Sequence, residues 1–401
     1  MSSANTQNTK AVLYTLLVTS TLTVMSGATI APALPTMQAH FSDIPNIELW
    51  VRLVLTMPAL FIVMGAPFAG NIIDKYQKKK FLLFSIGLYA VAGSSGLYLD
   101  ELYAILIGRA LLGIAVAGIM TTVITLFADY YEGNERASAL GLQASFMALG
   151  GVVFLSFGGF LADLDWRAPF AIYLFALLFL PMAWKYLYEP SKEADEDTDL
   201  PKRVLKDSPN LIKIMIFVYG LMLLAQIIFY TIPIHLPFYL QNLTGASGTE
   251  SGLAIALVTL AAGMTSFTYG KFKAKFGYIY LMSISLAFVG FGYFIISQAV
   301  GYPILIIGLT ILGIGFGFFM PNVNTWLAEI APTEFRGRIM GGITTAVFLG
   351  QFISPIATQP INAVLSIDEL YLLNSIVLGV VTGGILLFRK KLLNIASLIE
   401  K

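Results

Sequence analysis

Three side chains able to carry positive charge interrupt apolar stretches of this 401-residue sequence: Arg52 in WVRLVL, Arg109 in IGRALLGIAVAG and His235 in YTIPIHLPFY. A guanidinium offers a planar fork of donors suited to a carboxylate or to carbonyl oxygens. An imidazole exchanges a proton near neutral pH. All 23 acids lie in polar segments or at the ends of apolar ones, so no carboxylate in an apolar interior neutralises these groups. Charged groups in such an interior are costly and mark candidate functional sites. Arg52, nearest the end of its stretch, reads as a snorkelling guanidinium; Arg109 reads as bonding to carbonyls and hydroxyls of the first apolar segment. His235, between Pro233 and Pro237, sits where a helix should break locally.

Much other chemistry is excluded. With no cysteine there are no disulfides, zinc–thiolate sites or iron–sulfur clusters, and His40 and His235 alone make no histidine-only metal site. The GIGFG run, Gly313 to Gly317, lies in a continuous apolar stretch with no preceding strand, so it reads as close helix packing rather than a dinucleotide loop. No nucleotide loop, metalloprotease signature or nucleophile elbow is present, and no catalytic residue or bound cofactor is expected.

The elements that hold these residues follow from composition. Hydrophobic residues make up 57% and charged residues 12%, where soluble chains carry about a quarter charged. A spanning helix needs about 20 apolar residues, because its backbone must satisfy its own hydrogen bonds in hydrocarbon. Twelve stretches qualify: 11–34, 49–73, 80–99, 102–128, 136–161, 168–187, 210–239, 250–272, 277–297, 302–328, 336–363 and 369–388. The first is too long for a signal sequence and reads as a span. Nearly all Lys and Arg fall on alternate loops, with Arg52, Arg109 and Arg167 the exceptions; this places both termini in the cytoplasm. The net charge of +1 gives no sign of nucleic-acid binding. The charge-rich stretch 188–209 reads as a cytoplasmic linker between six-helix bundles at 1–187 and 210–401.

Sliding the sequence on itself by 200 residues superposes Gly70 on Gly270, Lys75 on Lys275, Gly108 on Gly308, Gly113 on Gly313, Arg136 on Arg336, Gly141 on Gly341 and Gly150 on Gly350. Matched glycines and arginines indicate a repeated bundle, the plan of many transporters.

GNIIDKYQKKK, Gly70 to Lys80, resembles the signature between helices two and three of the major facilitator superfamily, G-x-L-x-D-R-x-G-R-K, through Gly70, Ile72, Asp74, Lys75, Lys78 and Lys79, with Gln77 replacing the second glycine. Arg109 and Gly113 fit the R-x-x-x-G pattern of helix four, and the resemblance implies a role for Arg109 in proton or substrate handling. Gly141, Gly150, Gly158 and Gly159 keep the spacing of the helix-five antiporter motif, whose central Gly-Pro is here Phe154-Leu155. The resemblance implies an all-α membrane protein of twelve transmembrane helices, a multi-pass and monomeric inner-membrane transporter working by alternating access. Its partners would be the lipid bilayer and a small-molecule substrate, with a proton gradient as driving force. It also implies a conformational latch in which Asp74 accepts bonds from Lys78, Lys78 faces Asp129, and Arg136 and Lys75 lie nearby. A cavity would be lined by Thr19, Thr23 and Ser26 on helix one, Gln143 on helix five, Gln226, Phe229 and Tyr230 on helix seven, Asn322, Asn324 and Trp326 on helix ten, and Gln351 on helix eleven. Taken singly, each of these polar groups reads as a helix–helix hydrogen bond. The function so implied is proton-coupled, multidrug-type efflux of an amphipathic compound. An anionic metabolite or a metal-chelating compound, exported or taken up by symport, is the alternative, and a transporter-like membrane sensor the remote one.

Overall fold

A computed structural model describes residues 3–190, 209–332 and 335–397; most of the expected linker, 191–208, lies outside the described residues. The described chain is helical: α1 Ser3–Met25, a 3₁₀ turn Ala28–Ala33, α2 Leu34–His40, α3 Ile47–Lys75, α4 Lys78–Gly93, α5 Leu102–Tyr130, α6 Gly133–Ala162, a 3₁₀ segment Ala168–Phe175, α7 Ala176–Tyr186, α8 Pro209–Phe229, α9 Thr231–Thr244, α10 Gly248–Ser297, α11 Tyr302–Ile330, α12 Arg336–Asn362, α13 Ile367–Leu387 and α14 Arg389–Ser397. A 29-residue helix such as α3 is about 44 Å long, more than the ~30 Å of hydrocarbon. Its ends therefore reach polar surroundings, where Glu48 and Lys75 sit. Every carboxylate within a described helix lies in such a terminal turn.

Eleven described helical segments are long and apolar enough to cross a bilayer. The longest, α10, has 50 residues, about 75 Å of helix, and bends at Gly277 with φ 69° and ψ 176°. Glycine alone visits that region without steric cost. Two spans thus meet at Gly277, which restores the expected twelve. Span seven breaks at Tyr230, between the end of α8 at Phe229 and the start of α9 at Thr231. The break precedes Pro233, whose ring would collide with the carbonyl of Phe229 in a continuous helix. Span one ends earlier than expected as α-helix, at Met25, and continues through the 3₁₀ turn that contains Pro32.

Two compact units divide the chain. The first comprises Met1–Glu193 with Leu236–Gln241 and Ala246–Ala256; the second comprises Ala194–His235, Asn242–Gly245 and Leu257–Lys401. Two short stretches expected in the second bundle therefore pack with the first.

Lipid tails are as apolar as leucine, so membrane helices adhere through close contact at small residues. A β-carbon placed on Gly113 would lie 2.4 Å from the Pro58 carbonyl oxygen, and one on Gly313 would lie 2.6 Å from that of Val258. Both members of each pair are 200 residues apart, so the internal repeat survives as a repeated helix contact, formed once inside each unit.

Candidate functional site

In the first unit Arg109 is fully buried, at 0% exposure. Its Nε donates to the Val54 carbonyl at 2.8 Å and its Nη2 to the Ser26 carbonyl at 3.1 Å. Both acceptors would otherwise lack donors for local reasons. Val54 is four residues before Pro58, which has no N–H to offer it, and Ser26 follows the last residue of α1, where carbonyls lose their helical partners. Arg109 thus repairs a proline gap in α3 and a helix end in α1, a requirement in a medium without water. The Tyr173 ring lies 5.1 Å from its guanidinium carbon, and Nη1 has no hydrogen-bond partner. Arg52 is buried rather than snorkelled, because Glu48, one turn away, reaches its Nη1 at 3.8 Å and the Phe238 ring lies 5.6 Å from its guanidinium carbon.

The other residues expected to line a cavity in this unit are engaged within the protein. Thr19, Thr23 and Ser26 donate to carbonyls three or four residues earlier, and Gln143 of α6 donates to Ser20 at 2.9 Å. Ser20 was not anticipated; a cross-helix pair leaves no spacing signal.

In the second unit His235 is also fully buried. His235 Nε2 lies 3.1 Å from Thr358 Oγ1, which also bonds the Ser354 carbonyl at 2.9 Å. Nδ1 faces the Asn362 amide nitrogen at 3.5 Å, while Asn362 Oδ1 has no partner. Thr358 and Asn362, four apart on α12, were missed because neither residue type stands out alone. Asn322 donates to the Tyr278 carbonyl at 2.9 Å, Asn324 to the Met320 carbonyl of its own helix, and Gln226 to the Met320 sulfur at 3.7 Å. Trp326 and Tyr230 are buried, and Gln351 is partly exposed. Phe229 and Phe316 stack at 3.8 Å.

The expected latch is rearranged. Lys78 pairs with Asp129 at 2.8 Å, but Asp74 is exposed and takes part in none of the described ion pairs. With its ammonium committed to Asp129, Lys78 is instead fixed from the other side by Glu189, which accepts the backbone N–H groups of Lys78 and Lys79 at 2.7 and 3.0 Å. A carboxylate on the first N–H groups of α4 complements the positive end of the helix dipole. Tyr188 next to it stacks on Tyr130 at 4.4 Å. Lys75 and Arg136 are exposed, and a β-carbon at Gly70 would meet nothing within 4 Å.

The helix-five glycines differ among themselves. A β-carbon on Gly141 meets nothing, whereas one on Gly150 would lie 3.1 Å from Thr21, one on Gly158 2.2 Å from the Thr29 carbonyl oxygen, and one on Gly159 2.5 Å from the Gly248 carbonyl oxygen. Just beyond, Asp163 accepts the N–H groups of Gly248 and Thr249 at 2.5 and 2.9 Å. Desolvation pushes its carboxyl up, but the bonds from the Thr249 side chain and backbone, Gly248 and Ser247 outweigh it and hold Asp163 below the usual carboxylate range. Ser247 and Glu250 form a reciprocal cap at the start of α10. Neither that cap nor the role of Asp163 was anticipated.

A family model described as Major Facilitator Superfamily matches residues 16–355 and 221–394. Among curated proteins, the chain is 25% identical over 349 residues to a bacillibactin exporter of Bacillus subtilis (strain 168), covering 82% of this chain and 85% of that protein. It is also 25% identical over 331 residues to a multi-drug resistance efflux pump PmrA homolog of Lactococcus lactis, covering 80% of each. Among solved structures, a D-xylose-proton symporter superposes with a TM-score of 0.73 at 17% identity, covering 92% of this chain and 96% of that one.

Proposed function

The chain belongs to the major facilitator superfamily, and from that premise we propose that this multi-pass membrane transporter exports a small amphipathic organic compound in exchange for protons, from the cytoplasmic side of an inner membrane. The observation that carries the reading is that the polar side chains expected to line a cavity already spend their donors on the protein. In the first unit Thr19, Thr23, Ser26 and Gln143 donate to nearby protein acceptors; in the second Asn322 and Asn324 do the same, and Phe229 and Phe316 offer stacked aromatic surface. A site for a hydroxyl-rich solute needs many free donors and acceptors, whereas a mostly apolar lining with a few polar groups suits an amphipathic one. The names of the two relatives, an exporter and an efflux pump, point the same way.

Within this reading His235 carries the proton. Among the described residues no carboxylate lies in the middle of a span, arginine stays protonated, and imidazole titrates near neutrality. A proton arriving at Nδ1 turns the Asn362 amide nitrogen from a donor into a repulsive neighbour. Rotation of that amide presents its unpartnered Oδ1 instead, so charging the ring is coupled to one side-chain flip. The purified chain in liposomes, with an imposed pH gradient and a panel of cationic, neutral and anionic amphiphiles, tests both parts. Gradient-driven flux of cationic or neutral compounds, uncoupled from the gradient in His235→Gln, is the expected result. Flux indifferent to the gradient refutes proton coupling.

A second reading, transport of an anionic metabolite or metal-chelating compound, rests on Arg109 Nη1, a buried cationic donor without a partner. Flux of anions alone in the same panel would establish it.

A further inference from the structure

Where α3 gives way to α4 in the first unit there is a cleft of about 710 Å³. Ile72, Tyr76 and Phe81 give it apolar walls, and Lys75 and Lys80 bring two ammonium groups to it. Its lining also includes one carboxylate, Glu189, but each oxygen of that group already accepts a backbone N–H, from Lys78 and from Lys79. Asp129 is likewise occupied by Lys78. Neither Lys75 nor Lys80 takes part in a described ion pair. With Lys78 and Asp129 paired off, Lys75, Lys79 and Lys80 stand against Glu189 and the neighbouring Asp74, so positive charge stays in excess against an apolar wall.

The cleft also lies at headgroup depth. It sits at the adjoining ends of two segments long and apolar enough to cross a bilayer, Ile47–Lys75 and Lys78–Leu97. Tyr76 at its rim is 68% exposed and Trp184 is 70% exposed, with the Lys79 ammonium 5.8 Å from the Trp184 ring centre. Exposed tryptophan and tyrosine among lysines mark the boundary between hydrocarbon and water. Basic pockets between membrane helices at that depth suit anionic lipid headgroups. A soluble anion would meet the same lysines, yet it would gain nothing from the apolar wall.

We propose that this cleft binds the phosphodiester headgroup of an anionic phospholipid from the adjoining leaflet, with Lys75 and Lys80 on its phosphate oxygens. The topogenic role of the lysines accounts for their side of the membrane; lipid capture accounts for a cleft whose acid is tied up elsewhere. The site is independent of what the protein transports.

Native mass spectrometry of the intact chain in neutral detergent, titrated separately with phosphatidylglycerol and phosphatidylcholine, provides the test. One phosphatidylglycerol should be retained at concentrations where phosphatidylcholine is not. Each of Lys75→Gln and Lys80→Gln should weaken its binding about fivefold, and the pair about 25-fold, as expected for one lysine each at an anionic surface. Lys390→Gln with Lys391→Gln, basic positions in α14, should leave it unchanged. All of the substituted side chains are exposed, so folding is not at stake. Equal retention of both lipids, full retention by the Lys75/Lys80 pair, or displacement of phosphatidylglycerol by millimolar inorganic phosphate would each overturn the proposal, the last by showing a soluble-anion site.

Discussion

Replacing Gly158 with alanine tests whether α6 is seated on the turn after α1 as described. The new β-carbon would lie 2.2 Å from the Thr29 carbonyl oxygen and 3.0 Å from Thr29 Cγ2. Ordinary carbon–oxygen contact begins near 3.4 Å, so one backbone must retreat by about 1 Å. Thr29 has little room to do so: it is buried, and its hydroxyl bonds the Met25 carbonyl at 2.7 Å. Overpacking of this kind costs about 1–3 kcal/mol, against a gain of up to ~1 kcal/mol from replacing glycine in a helix. Gly141 on the same helix has no neighbour within 4 Å, so alanine there should keep only the gain. Thermal unfolding of both variants in detergent, with transport measured in parallel, gives the comparison. Gly158→Ala should unfold at lower temperature and transport less, and Gly141→Ala should match or exceed the parent. Equal behaviour of the two variants would refute this packing.

Arg109→Leu removes two charge-assisted bonds to carbonyls left without local donors, a loss of about 3–6 kcal/mol at 1.5–3 each; the variant should fail to accumulate as folded protein, while Arg109→Lys folds with reduced stability in the same unfolding assay. Lys78 and Asp129, about one-fifth exposed, should show a coupling of about 0.2–1 kcal/mol in a double-mutant cycle, whereas Asp74→Asn should leave stability unchanged and lower transport. Asp163 is held below the usual carboxylate range, so its cap on α10 is fully present above about pH 4, the unfolded value, and is lost as pH falls through the lower folded value. Asp163→Asn should therefore flatten the acid limb of a stability–pH curve by about 0.5–1 kcal/mol, measured by unfolding midpoints from pH 2 to pH 7.

Spans were legible because hydrocarbon thickness sets a length that apolar runs must meet. The expected 336–363 and the observed Arg336–Asn362 differ by one residue. Helix ends written by backbone geometry were less visible: the bend at Gly277 and the 3₁₀ turn at Ala28–Ala33 depend on local dihedral angles that hydropathy does not report. The carbonyl partners of Arg109 could have been narrowed from the sequence, since Pro58 frees the Val54 oxygen. That inference needs α3 beside α5, which the composition alone does not give. Arg52 misled because snorkelling is the default near a helix end, yet Glu48 and Phe238 hold it inside. Glu189 was hidden for a simpler reason: it binds a helix start more than a hundred residues earlier, and no periodicity links the two. Glycine spacing found the helix-five seam but could not separate Gly141 from Gly158, because spacing says nothing of what lies opposite.

Running the cycle in reverse tests proton exchange. Liposomes containing the purified chain and an internal pH dye, with no imposed pH gradient, are given an outward gradient of a transported amphiphile while valinomycin and potassium hold the membrane potential at zero. Amphiphile leaving the lumen should draw protons in and acidify it, and His235→Gln should abolish the acidification. A lumenal pH that stays constant while the amphiphile flows would refute proton exchange.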